Sequence, residues 1–199
     1  MNAAVITETR PKAIIPEIIE QHLSMLPDNY ELIVFCSKES ERNFTDYSGK
    51  FNKYIVKVNT LHDYNMLMTS QWYWSKLLAY EHVLIFQTDS KILRPGIEVF
   101  YEWDYIGSPW KFQDHGGNGG LSLRTPKVIM QIIKNIHYSG IPYEDVFLSN
   151  HLEKYGKLAP RSECKKFSCE TIFELGTFAY HAIQNYMSHG QIEQIENQY

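Results

Sequence analysis

What is scarce in these 199 residues removes whole classes of function. There are only three cysteines, Cys36, Cys164 and Cys169, so the chain is not a disulfide-stapled scaffold. All three cannot pair within one chain, and no spacing among them suggests a zinc site. Cys164 and Cys169 are near enough in sequence to form a local disulfide; the alternative is three free thiols in a reducing compartment. No apolar run approaches the ~18–20 residues that span a bilayer. The opening MNAAVITETR lacks the basic-then-apolar pattern of a secretion signal, so a cytoplasmic protein without a transmembrane segment is expected. On that expectation Asn43-Phe44-Thr45, which fits the glycosylation acceptor pattern, reads as chance. Positive charge is short as well: 19 Lys and Arg against 23 Asp and Glu leave a formal net charge of −4. The densest basic stretch, Lys165-Lys166 with Arg161 and Lys157 nearby, reads as a solvated loop, and nucleic acid is not an expected partner.

Aromatic residues are plentiful. Fourteen tyrosines, ten phenylalanines and four tryptophans serve a core first, and they also make flat walls on which sugars and bases lie. The first half of the chain alternates strand and helix patterns. AAVITETR suits a first strand. A helix follows, with Pro16 in its first turn and Ile15, Ile18, Ile19, His22 and Leu26 on one face. ELIVFCS (31–37) and YIVKVN (54–59) read as strands. Asp63 is the expected cap of one further helix, on which Leu67, Gln71, Trp74 and Leu78 recur. VLIF (83–86) is then a strand buried on both faces. This β-α-β-β-α-β order predicts an α/β fold with a central mixed, mostly parallel sheet flanked by helices.

In the second half, RPGIEVFYEW suggests a short helix and DYIGSPW an extended segment. GGNGG runs into the strand LSLR, and Thr125-Pro126 are placed as cap and first residue of a helix through Ile136. Another helix starts at Pro142. ELGTFAYHAIQNYM reads as a strand reaching His181 and then a short helix, and QIEQIENQY as a frayed polar helix.

Four places carry possible chemistry. The strand VLIF ends in Gln87-Thr88-Asp89-Ser90, just where open α/β sheets bind ligands. A turn explains Asp89 equally well, since Asp and Ser bond their own backbone. Thr88 and Ser90 add oxygen groups suited to the hard cations Mg²⁺ and Mn²⁺. His181 lies near the end of another strand, where a histidine is either a ligand or a packed residue. Glu144-Asp145 favour the first turn of a helix on dipole grounds alone. They also offer a general base, with one carboxylate to bind a hydroxyl and the other to deprotonate it. The four glycines and Asn118 of GGNGG let a ligand approach the backbone closely, or form a flexible hairpin; no GK[ST] follows, so this is not a phosphate-binding P-loop.

In that order, QTDS, DYIGSPW, GNGGLSLR, YEDVFLS and FAYH resemble a family of glycosyltransferase-like proteins labelled as a domain of unknown function. The resemblance spans most of the chain, and the order GNGG–strand–helix–EDVF is similar to inverting GT-A transferases of the Fringe and β-1,3-glycosyltransferase type. It implies one GT-A-like domain over 1–199, with a nucleotide-binding half (about 1–95) and an acceptor and catalytic half (about 96–190). Asp89 matches the last carboxylate of the Asp-x-Asp motif that holds Mn²⁺ or Mg²⁺ on the diphosphate. Gln87 stands where that motif has its first Asp and would contact nucleotide or sugar. His181 would complete the metal shell, and Asp145, beside Glu144, would be the base. Thr88 belongs to the same donor-binding stretch, and Asn118, Gly119 and Gly120 would line the sugars. Arg10 would place positive charge near the diphosphate, or form a surface ion pair. Trp110 and Tyr105 would offer sugar-stacking faces, or pack in the core. The implied reaction moves a sugar from a nucleotide-diphosphate donor, UDP-sugar favoured, to a hydroxyl of a glycan, protein or small molecule. A metal-dependent hydrolase of nucleotide sugars and a non-catalytic binding module remain as rivals. Further domains or a partner would complete the acceptor site.

Overall fold

The computed structural model describes residues 1–11, 15–44 and 47–199; Thr45 of the acceptor tripeptide lies outside them. Strand β1 (Asn2–Glu8) is followed by helix α1 (Ile15–Ser24), β2 (Tyr30–Cys36) and β3 (Phe51–Ile55). Next come α2 (Leu61–Met68), α3 (Gln71–Ser75), β4 (Val83–Phe86) and the short β5 (Ser90–Ile92). The second half contains β6 (Tyr105–Gly107), β7 (Leu121–Arg124), α4 (Pro126–Asn135), α5 (Glu144–Leu152) and α6 (Arg161–Phe167). It closes with β8 (Ser168–Cys169), β9 (Ala179–His181) and α7 (His189–Glu196).

The main sheet has six strands in the order β3-β2-β1-β4-β7-β6. Pairs β3-β2, β2-β1 and β1-β4 are parallel, whereas β7 runs antiparallel to β4 and β6 to β7. This is the expected α/β fold, a mixed and mostly parallel sheet flanked by helices. Alternation along the strands splits the core in two. Ala4, Ile6, Val34, Leu84 and Phe86 pack with α1 and with Phe100, Phe167 and Phe178 on one face. Ala3, Val5, Ile33, Phe35 and Ile85 pack on the other against Trp74, Ile129, Ile132 and Leu148 from the helices. A second, three-stranded sheet, β5-β9-β8, stands beside the carboxyl end of β4.

Several local expectations are corrected. The third strand lies at 51–55 rather than 54–59, because its neighbour β2 ends at Cys36, which pairs with Ile55. The single helix expected after residue 63 is two. Ser70 breaks it: its hydroxyl donates to the Leu67 carbonyl and accepts from the Tyr73 amide that starts α3. Thr60, not Asp63, is the N-cap; Asp63 is its partner three residues on, each side chain bonding the other's backbone amide. Pro126 opens α4 as expected, but Thr125 makes no capping hydrogen bond. Helix α5 starts at Glu144, after a cis Ile141–Pro142 peptide, rather than at Pro142. Lys165 and Lys166 belong to α6 and pair with Glu174 and Glu163. Cys164 and Cys169 are free, buried thiols, and they point into different clusters, Cys164 into the central core and Cys169 against Ile183 and Ile195. Helix α7 is held down by a Ser188–Gln191 capping box and by the fully buried Ile195. Among the described residues no helix is long and apolar enough to cross a membrane.

Candidate active site

Two strand ends and one helix start converge. β4 stops at Phe86, and the polar segment Gln87–Asp89 passes from the large sheet to the small one. There Ser90 pairs with His181, so the antiparallel β5-β9 register sets His181 beside the strand-end carboxylate. His181 Nε2 lies 3.3 Å from Asp89 Oδ1 and 3.2 Å from Gln87 Oε1, and Nδ1 lies 3.2 Å from Glu170 Oε1. Burial alone would lower the His181 pKa, but the hydrogen bonds and charges of Asp89 and Glu170 push it up to about 9. The next residue, Ala182, has φ 51, a left-handed conformation costing a non-glycine residue about 1–2 kcal/mol. Strain of this kind is found where the surroundings hold a functional geometry.

Gly120 explains how the ring fits. A Cβ there would stand 2.2 Å from His181 Nε2, and one at Gly119 would stand 2.4 Å from Glu144 Oε1. These two glycines therefore make room for the protein's own side chains. Asn118 is buried, and its side-chain oxygen accepts from the Gly120 amide.

Asp145 faces the same space from the first turn of α5. Its Oδ2 accepts from the Gly119 amide at 3.0 Å and its Oδ1 from the Val146 amide at 2.8 Å. Burial, then the charge of Glu144, raise its pKa to about 6 against the pull of those amides and Arg124. The two carboxylates are held differently. Glu144 is 3% exposed and gripped by the fully buried Arg124, Nη1 to Oε2 at 2.8 Å and Nη2 to Oε1 at 3.0 Å. Its amide donates to Asn65 Oδ1. With its oxygens bound to a buried guanidinium, Glu144 is anchored in the wall of the cavity that it shares with Asp145.

Three cavities meet here. One of about 220 Å³ holds Asp145, Asn118, Gly119, Gly120, His181 and Gln87 in its wall. Gln87 and Tyr64 also line a neighbouring cavity of about 340 Å³, reached by Thr7, Glu8, Arg10, Asn59 and Thr88. Gln87 Nε2 donates to the Tyr64 hydroxyl across the partition. A third, of about 610 Å³, lies on the α1 side of Asp89 and Thr88. Arg10 is bound to Glu8, its Nε and Nη2 donating to the carboxylate at 2.9 and 2.8 Å, so an ion pair accounts for it. Glu8 raises the Arg10 pKa through that hydrogen bond.

Trp110 is not brought to the site. It is buried, stacked on Phe112, and lines none of these cavities. Tyr105 is likewise core, its ring under the Arg124 guanidinium at 4.6 Å and its hydroxyl donating to the Gly117 carbonyl. Sequence reasoning missed Glu8, Tyr64, Asn65, Arg124 and Glu170. Two had a signal: Glu8 ends a buried strand as Asp89 does, and Arg124 is a charge in the otherwise apolar LSLR.

The family described as protein of unknown function (DUF5672) matches residues 49–184, more than half of the chain. No curated protein matches. Among solved structures, the chain resembles a glycosyltransferase involved in the glycosylation of the major capsid of PBCV-1, at 12% identity and TM-score 0.53, over 99% of this chain and 98% of that one. It also matches the glycosyltransferase GlyE of Streptococcus pneumoniae TIGR4 at 13% identity and TM-score 0.44, over 77% of this chain; the match spans 43% of GlyE. At such identities the likeness is one of fold, and the fold is glycosyltransferase-like.

Proposed function

Since the chain belongs to the DUF5672 family, whose description names no activity, we propose from the chemistry of its own site that it is a glycosyltransferase. It moves a sugar from a nucleotide-diphosphate donor, UDP-sugar favoured, to a hydroxyl acceptor. The observation that carries this reading is the shared cavity: Asp145, with a pKa raised to about 6, lines one small space with His181, whose Nε2 lies 3.3 Å from Asp89 Oδ1.

The neighbouring cavity, lined wholly by residues 6–88, suits the nucleotide, and the cavity of Asp145 the transferred sugar. The wall of the Asp145 cavity draws on both halves of the chain, Leu61, Tyr64, Asn65 and Gln87 from the first and Asn118 to His181 from the second. Gln87 and Tyr64, on the partition, would meet the groups between nucleotide and sugar. Asp145 would take the proton of the acceptor hydroxyl, a role for which a carboxylate poised near neutrality is suited. Attack on the sugar carbon opposite the leaving diphosphate would invert its configuration, as in the Fringe-type enzymes that the sequence resembles.

Asp89 and His181 would hold a divalent ion, which takes the imidazole in its neutral form and so displaces the proton that Asp89 and Glu170 favour. A carboxylate oxygen and an imidazole nitrogen lie at 3.3 Å, and Glu170 fixes the far side of the ring. Among the described residues no three His, Cys, Asp or Glu side chains converge as a metal-holding group. Two protein donors with open positions suit Mn²⁺ or Mg²⁺ that shares its shell with substrate phosphates. When bound, such an ion supplies Lewis-acid stabilisation of the diphosphate leaving group.

A thermal-shift panel of UDP-, GDP- and dTDP-sugars, with and without Mn²⁺, tests the reading on wild type and Asp89→Ala. Expected is a stabilisation that needs nucleotide and metal together and vanishes in the variant; a ligand at about 100 times its Kd stabilises by about 2.7 kcal/mol. No shift with any donor, or one indifferent to Asp89, overturns it. Product analysis then separates transfer from hydrolysis, because a hydrolase turns over fully without acceptor.

A further inference from the structure

Tyr143 stands immediately before the buried Glu144 and beside Asp145, yet it is 61% exposed. It lines the mouth of the Asp145 cavity together with Leu61, which is 59% exposed. Among the described residues its ring has no aromatic neighbour and its hydroxyl no hydrogen bond. Ile141, 78% exposed, lies in the same loop, which packs against the start of α2 where a Cβ on Gly140 would meet His62. An apolar rim therefore surrounds a polar floor. Solvating a tyrosine face and a leucine side chain is unfavourable, and burying them under a ligand recovers that cost.

Size decides what the rim is for. The cavity behind it, about 220 Å³, has room for one monosaccharide ring, which on the reading above is the donor's. The acceptor must then sit at the mouth, with its hydroxyl directed inward to Asp145. Reacting atoms have to come within about 3–3.5 Å of one another, so the body of the acceptor lies against whatever frames the opening. A pyranose matches that frame: its ring C–H face is flat and apolar, while its hydroxyls lie around the edge. Tyr143 and Leu61 present the apolar surface, and Asp145 takes one edge hydroxyl.

We propose that Tyr143 is the stacking platform for the acceptor and that the acceptor is a pyranoside, held between Tyr143 and Leu61 at the mouth of the transfer cavity. This rests on the transferase reading, and the test separates the two. Methyl β-glucoside, methyl β-galactoside and methyl β-N-acetylglucosaminide are titrated into the full chain with UDP and Mn²⁺ present, followed by ligand-observed NMR. Expected is binding of at least one glycoside by wild type and Tyr143→Phe, weakened about tenfold or more in Tyr143→Ala. Tyr186→Ala, which removes an exposed tyrosine lining none of these cavities, should bind as wild type does. Turnover with UDP-sugar should show the same loss as a raised acceptor KM. Failure of wild type to bind any pyranoside, or equal binding by Tyr143→Ala, overturns the platform. Tyr143-dependent binding with no turnover keeps the platform and overturns the transferase reading instead.

Discussion

Asp145 shares a cavity with His181, to which Asp89 is paired, and the two carboxylates sit in different surroundings. Asp89 leaves the sheet beside an imidazole, with its side chain 39% exposed. Asp145 is pressed into protein next to a second carboxylate, and burial holds its pKa near 6. Two amides and a neighbouring guanidinium keep Asp145 ionisable. A base must be deprotonated to act, so kcat/KM for transfer should rise with pH through about 6 and level off above it. Asp145→Asn should lower the plateau by about 10²–10⁴-fold. A profile flat from pH 5 to 7 in steady-state assays, or a variant with full activity, would remove Asp145 from the base role.

Among the elements, α2 positions more of the site than its short length suggests. It supplies Tyr64 on the cavity partition, Asn65 under the Glu144 amide, and Leu61 at the mouth. What holds its start is the reciprocal pair Thr60 and Asp63. Thr60→Ala removes an N-cap and should cost about 0.5–2 kcal/mol in urea unfolding, with m unchanged. A loss within experimental error would show that packing of Met68 and Asn65, both buried, fixes the helix without its cap. The small sheet is the other positioning element. Its β5-β9 register, through Ser90 and His181, joins two motifs that lie far apart in the chain.

At the scale of the molecule, the sheet divides a core on two faces, and His22 is buried in one of them. Its ring stacks on Phe86 at 4.4 Å; Nδ1 bonds the Ile18 carbonyl, and Nε2 faces the Ser90 hydroxyl at 3.0 Å. Burial pushes its pKa down to about 4. The unfolded chain takes up that proton near pH 6.5, so the fold loses stability as pH falls from about 6.5 towards 4. The slope from this group approaches about 1.4 kcal/mol per pH unit, with full stability above 6.5. Urea unfolding of wild type and His22→Gln at pH 7 and 4.5 checks it. The difference between them should shrink at the lower pH, and a constant difference would acquit His22.

Residue order alone determined the fold class, because periodicity, burial and short connections act locally. The continuous apolar runs AAVIT and VLIF and the spacing of Ile15, Ile19 and His22 each dictate one element, and their sequence dictates a parallel sheet with helices over it. It also placed a carboxylate at a strand's carboxyl end, where such sheets bind ligands. It did not determine element limits, which neighbours set: β3 stops where β2 does, and Ser70 divides a helix by competing for its backbone. Nor could it tell Glu144 from Asp145. That distinction depends on Arg124, twenty residues away across helix α4, and a one-residue step along α5 decides which carboxylate meets the guanidinium. Trp110 and Tyr143 make the same point in reverse. One aromatic is core and the other is rim, and only the packing of distant segments decides how much of each ring water still sees.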